Sequence, residues 1–200
     1  MTTLFLIRHG SCGGLGQTLW GRTPGICLNE DGKLQAQRLA ERFTRITLDA
    51  IYSSPLERAL ETAEAIARST NLEVKTSSAL NEIDFGEWTG KSFETLSREE
   101  DWRLFNTYRS MAIVPGGESF LKVQNRIIEE LSSLSQRHGN ARVAIVSHAD
   151  VIRAAVAYFA ATPIDLIERF EISPCSVTVV ALDQASATLL TVNNQLELID

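Results

Sequence analysis

Short apolar runs alternate with amphipathic stretches along most of this 200-residue chain, and no other feature narrows the fold so much. "LFLI" at residues 4–7 gives way at once to polar residues, the pattern of a buried strand. "LNEDGKLQAQRLAERF" then predicts a helix capped near Asn29, with Leu34, Leu39 and Phe43 on or near one face. "DAIYSS" reads as a second strand, and "PLERALETAEAIARS" as a helix with Pro55 in its first turn, where proline is tolerated. "LEVKTS" is a short third strand. In "ESFLKVQNRIIEELSSLSQRHG", Phe120, Val123, Ile127, Leu131 and Leu134 recur at helical spacing, and Gly139 follows the end. "RVAIVS" is an apolar strand, "ADVIRAAVAYFA" a helix, and "SVTVVALD" with "ATLLTVNN" a late pair of strands suited to a hairpin.

Strands alternating with helices predict an α/β three-layer sandwich, a mostly parallel central sheet with helices on both faces. Residues 81–117 break the alternation, with two or three short helices and two of the three tryptophans. They read as a small helical cap insertion in a single domain spanning 1–200. No repeat, low-complexity tract or linker interrupts it.

The net charge of −6 argues against nucleic acid as a partner, although a local arginine cluster still suits a small anion. No apolar run approaches the roughly 20 residues of a membrane helix, and "MTTLFLIRHG" lacks a basic leader. Cys12, Cys27 and Cys175 are odd in number and lack metal-ligand spacing. That suits a reducing compartment, and the expected location is cytoplasmic.

The loop after the first strand, "RHGSCGGLGQT", offers several chemistries. A nucleotide-cradling G-x-x-x-x-G-K-[ST] loop fails, because no lysine is present. The dinucleotide pattern G-x-G-x-x-G fails at Leu19, after Gly14 and Gly16 match. A C-x5-R phosphatase loop fails because Thr18 stands six residues after Cys12. Cys12 then reads as a small loop residue. Arg8-His9 remains, either as a loop arginine beside a hydrogen-bonded histidine or as part of a site.

Its company favours a site. "AIVSH" ends at His148, and a helix begins directly at Ala149. Ligands of open α/β sheets bind at such strand ends, and a helix opening attracts anions. The second strand is likewise followed by a helix opening that carries Arg58, and "LNEIDFGEW" places a carboxylate at Glu82. Arginine forks match phosphate oxygens in pairs.

"RHG", "SSPLERALETA", "NEIDFGEWTG", "PGGES" and "AIVSHADVIRAA" together resemble, in order and spacing, the histidine phosphatase superfamily in its phosphoglycerate-mutase-like branch. The resemblance runs nearly the whole chain. It implies that His9 is the nucleophile, that Arg8, Arg58 and His148 complete the phosphate pocket, and that Glu82 is the acid and then the base. It implies no metal and no cofactor. A phosphate dianion between Arg8 and Arg58 is nearly charge-balanced, and phosphoryl transfer demands mainly positioning and charge stabilisation. Glu82 must be protonated to act as an acid, so its pKa should rise above the usual ~4.3.

The chain departs from the family pattern at Ser11-Cys12-Gly13-Gly14, where an acidic residue and Thr or Ser are usual, and at Leu15, where an Asn would fall. Arg22, in "WGRTPG", resembles the family's Gly-Arg turn and is expected either at the pocket mouth or as a solvated loop arginine. Ala149 replaces a frequent Gly, but only its backbone N–H is needed. His138 reads as a surface turn residue, and Glu118 of "PGGES" either has a family role or favours a helix dipole.

The mutases of this branch are longer and carry an arginine directly after the catalytic glutamate. Here that position is Ile83, and the chain is more similar to α-ribazole and broad-specificity phosphatases. The expected activity is a phosphomonoesterase acting on a small-molecule phosphate ester: ribazole, sugar, glycerate or serine phosphate. The alternatives are a phosphoglycerate-type mutase or a non-catalytic phosphoester-binding regulator. The selecting residues are expected in Lys91–Pro115. An edge strand is available to pair two copies into a dimer.

Overall fold

In the computed structural model, which describes residues 1–14 and 16–196, β1 (Thr2–Arg8) is buried on both faces. Leu4 and Leu6 enter one hydrophobic core, and Phe5 and Ile7 enter the other. β4 (Arg142–Ser147) divides likewise, Val143 and Ile145 against Ala144 and Val146. A strand covered on both sides reads as a continuous apolar run, which is how both appear in the sequence.

β2 (Ala50–Ser53), β3 (Val74–Thr76), β5 (Val177–Leu182) and β6 (Ala187–Asn194) complete a six-stranded sheet of order β3-β2-β4-β1-β5-β6. The first four are mutually parallel; β5 pairs antiparallel with β1 and with β6. The expected α/β sandwich and late hairpin are therefore both present. α1 (Glu30–Phe43) and α2 (Glu57–Thr70) cover one face with Ala36, Leu39, Phe43, Ala59, Ala63 and Ile66. α5 (Phe120–Arg137) and α6 (Ala149–Phe159) cover the other, and all five predicted α5 positions are buried.

Two details differ from expectation. Leu34 is 53% exposed, because at about 100° per residue it lies half a turn around the helix from Phe43. Pro55 precedes the first turn of α2: extended Leu56 is the N-cap and the helix begins at Glu57. Asn29 does cap α1, accepting from Gly32 N–H at 2.8 Å.

Residues 81–117 hold a 3-10 turn at Gly86–Trp88, α3 (Phe93–Leu96) and α4 (Glu100–Thr107). Their Ile83, Phe85, Trp88, Phe105 and Val114 enter the core that α5 and α6 share. Trp102 lies 5.3 Å from Trp88 and stacks on Phe105 at 5.8 Å, centroid to centroid. Both tryptophans of the segment are thus used to pack it.

β1 leads into α1 on one face, while its neighbour β4 leads into α6 on the other. Connections diverging from adjacent parallel strands leave a crevice at the carboxyl ends of those strands.

Candidate active site

Arg8 stands in register with Ser147, so the next residue on each strand, His9 and His148, reaches that crevice together. Their ring centroids are 5.1 Å apart at 62°, and both are buried. Arg58 arrives from the first turn of α2, also buried. Its Nε donates to His9 Nε2 at 3.3 Å and its Nη2 to the Gly21 carbonyl at 2.8 Å. Arg8 Nη1 donates to the Ile172 carbonyl at 2.6 Å. Arg58 Nη1 and Arg8 Nε are buried without a hydrogen-bond partner among the described residues. Buried donors are normally satisfied, and these two belong to residues lining one cavity of about 190 Å³. They are suited to the oxygens of an anion.

Each histidine is held in one tautomer. His9 Nδ1–H donates to the Gly10 carbonyl at 2.7 Å, which leaves the Nε2 lone pair toward Arg58. Burial, and then the Arg58 charge, push its pKa down to about 3, so the ring is neutral. The Ser54 hydroxyl donates to Asn81 Oδ1 at 3.1 Å and accepts from His148 Nε2–H at 2.9 Å. His148 Nδ1 is therefore bare, 3.8 Å from Glu82 Oε2. Burial first, then Arg58 and His9, hold the His148 pKa well below its ordinary value.

Glu82 enters from the irregular chain between 3-10 turns at Ser78–Leu80 and Gly86–Trp88. Its Oε1 accepts the Ile83 N–H at 3.0 Å. Burial, then the negative charge of Asp150, push its pKa up to about 7 against the opposing pull of Arg58. Ala149 opens α6 and lines the cavity.

Arg22 does not take the place expected for it. It is absent from the cavity lining, because its fork is turned to the rear of Glu82. Nε donates to the Glu82 carbonyl at 2.8 Å, Nη2 to Glu118 at 2.7 Å, and Nη1 lies 3.7 Å from Asp84. The cavity is instead lined, besides His9, Arg8 and Arg58, by Cys12, Thr18, Leu19, Trp20, Phe85 and Phe93. Cys12 is buried there, and burial raises its thiol pKa. Leu15, where the loop departs from the family pattern, lies outside the described residues. His138 is away from the cavity and half-buried, 2.9 Å from the Tyr52 hydroxyl.

Sequence reasoning missed Ser54, Asp150 and Arg153. Asp150 and Arg153 line the cavity as an i,i+3 pair at 2.9 Å, a spacing legible in "ADVIR". Ser54 carries no such signal, since its value depends on where His148 lies. Among the described residues, no three His, Cys, Asp or Glu side chains form a group that could hold a metal ion.

A neutral imidazole lone pair between two guanidinium forks, with a carboxyl that keeps its proton near neutrality, can move a phosphoryl group from an ester oxygen onto nitrogen. The sequence model of the Histidine phosphatase superfamily (branch 1) matches residues 4–195, and the chain belongs to that family. It is 35% identical to Phosphoserine phosphatase 1 of Hydrogenobacter thermophilus, over 96% of this chain and 92% of that one. A crystal structure of phosphoserine phosphatase from Entamoeba histolytica in complex with phosphoserine superposes with a TM-score of 0.88 at 28% identity, covering 100% of both chains. A putative alpha-ribazole-5'-P phosphatase from Escherichia coli gives 0.89 at 26%, covering 100% of this chain and 99% of that one.

Proposed function

We propose that this chain hydrolyses small-molecule phosphate monoesters through a phosphohistidine on His9, with Glu82 as general acid and then general base. The observation that carries this reading is the unprotonated Nε2 of a neutral His9, held beside two guanidinium groups and across the cavity from a carboxyl whose pKa burial raises to about 7.

The phosphoryl oxygens lie against Arg8, Arg58 and the N–H of Ala149, and His148 joins them through Nδ1 when the charge of the bound dianion draws a proton onto it. His9 Nε2 attacks phosphorus, and an N–P bond forms as the ester P–O bond breaks. The leaving oxygen takes the Glu82 proton. Water then attacks the phosphohistidine, gives its proton to the Glu82 carboxylate, and releases inorganic phosphate with His9 restored. Splitting the reaction gives each step an activated partner. Residues 81–117 act as the cap, since Glu82, Phe85 and Phe93 of that segment line the cavity. The three cysteines are unpaired, in keeping with a reducing, cytoplasmic location.

Phosphoserine and α-ribazole 5'-phosphate head the substrate panel, because similar proteins are named for these esters and one holds phosphoserine. The test is phosphate release from that panel in EDTA, by wild type and His9→Ala, with alkali-quenched trapping of labelled enzyme. Turnover in EDTA with acid-labile label on wild type alone supports the reading. Turnover retained by His9→Ala sinks it. Transfer to a second hydroxyl without phosphate release would mark a mutase.

A further inference from the structure

Glu118, in "PGGES", stands just ahead of Ser119, the N-cap of α5, and has no place in the chemistry above. Its carboxylate is the meeting point of everything that holds Glu82 from behind. Oε1 accepts from Arg22 Nη2 at 2.7 Å, from Arg126 Nη2 at 2.9 Å and from the Asp84 N–H at 3.0 Å. Oε2 accepts from Arg126 Nε at 3.2 Å. The same two guanidinium groups both donate to the Glu82 carbonyl, Arg22 at 2.8 Å and Arg126 at 3.3 Å. The Glu118 N–H returns to the Asp84 carbonyl at 3.0 Å, so Asp84 is strapped on both sides. Gly117 permits this approach, since a Cβ there would collide with the Asp84 carbonyl oxygen.

We propose that Glu118 is a positioning residue for the general acid: it gathers Arg22 and Arg126 behind Glu82 and fixes the backbone from which that carboxyl reaches the ester oxygen. The claim rests on the phosphatase reading. Glu82 belongs to no helix or strand, so no regular hydrogen-bond ladder fixes its backbone. A reacting group must be held within about 0.5 Å, and support from a neighbouring shell of hydrogen bonds is the usual means. The strap is also electrostatic. Arg58 from α2 and Arg126 from α5 draw Glu82 toward its ionised form, while burial and Asp150 on α6 oppose them. His148 faces the carboxyl from the start of α6, Arg8 acts on it from β1, and Asp84 lies beside Arg22. Glu118 supplies the charge that offsets Arg22 and Arg126.

A glutamate that merely favours the dipole of α5 would affect stability alone. Glu118→Gln separates the two. On an alkyl phosphate, whose leaving oxygen needs a proton, kcat should fall about tenfold or more, with KM changed less than threefold. On p-nitrophenyl phosphate, whose leaving group needs no proton, the loss should be under about threefold. With Arg126 uncompensated and Arg22 left with Asp84 alone, the basic limb of the alkyl-ester kcat profile should move to lower pH. Equal losses on both esters, or an unmoved limb with kcat within twofold, would overturn the proposal. If Glu118→Gln does not fold, Arg22→Gln removes one arm of the strap and should show the same dependence on leaving group; equal losses again count against it. If wild type releases no phosphate, the functional reading fails by itself. The 13C titration of the Glu82 carboxyl then decides the positioning: a curve shifted to lower pH in Glu118→Gln supports it, and an unshifted curve overturns it.

Discussion

His9 and His148 directly follow two neighbouring parallel strands, whereas Glu82 sits on irregular chain that belongs to no helix or strand. Arg8, His9, Arg58 and His148 inherit their positions from β1, α2 and β4. Moving Arg8, His9 or His148 means sliding a strand whose two faces are buried in separate cores, and Arg58 rides on a helix packed against one of them. Glu82 inherits nothing of the kind. It is placed by side chains that reach its main chain, from Arg22 and Arg126 through Glu118. The nucleophile side is rigid because the sheet is; the acid side is only as rigid as a network of charge-assisted bonds. Single substitutions away from the cavity should therefore damage acid catalysis more readily than phosphate binding.

The largest effect should come from the nucleophile side. His9→Ala should lower phosphate release by about 10⁴-fold or more and abolish the trapped phosphoenzyme. Thermal protection by inorganic phosphate should persist, because Arg8, Arg58 and His148 remain; its disappearance would mean that His9 holds up the pocket rather than reacts.

Glu82→Gln should cost about 10²- to 10⁴-fold on alkyl esters and far less on p-nitrophenyl phosphate. In wild type, the first step needs Glu82 protonated, so phosphoenzyme formation should decline as pH rises through about 7. Glu82→Gln should lack that decline. The same pKa has a stability consequence. The folded chain keeps a proton that the unfolded chain, with a pKa of ~4.3, gives up. Stability should then fall as pH rises between those values. Glu82→Gln should be the more stable protein at pH 8 by urea unfolding; equal stability would mean that the carboxyl is not held protonated.

Ser54→Ala removes the acceptor that holds His148 Nε2–H, and about tenfold in kcat/KM should go with it. An unchanged value would show that the strand end alone orients His148. The smallest effect is expected at Leu34, whose replacement by Ala should change stability by no more than about 0.5 kcal/mol. Phe43→Ala on the opposite side of α1 should cost about 3–5 kcal/mol.

The legible part of the site follows the same division. His9, Arg58 and His148 were found because each follows an apolar strand, and strand ends can be read from hydropathy alone. Glu82 was identified through its motif, with nothing in the local pattern to say how it would be held. Arg22 was placed at the mouth through the resemblance of "WGRTPG" to the family's Gly-Arg turn. It turns away because the Glu82 carbonyl and the carboxylates of Glu118 and Asp84 offer it three partners at the rear. Leu34 was assigned to the buried stripe on apolar character, while the helical angle puts it opposite Phe43.

Alternating strand and helix patterns determined, by themselves, that this chain forms a mostly parallel sheet with helices on both sides, and that its histidines and arginines gather at strand ends. Those are consequences of periodicity and of short-range backbone preference. Tertiary structure alone decided that β1 lies beside β4, which puts two rings 5.1 Å apart. It alone decided that Ser54 selects the tautomer of His148, and that Glu118, 36 positions after Glu82, secures the acid. Burial raises one carboxyl and lowers two imidazoles only once the core has closed over them, because desolvation belongs to the whole fold and not to any stretch of chain.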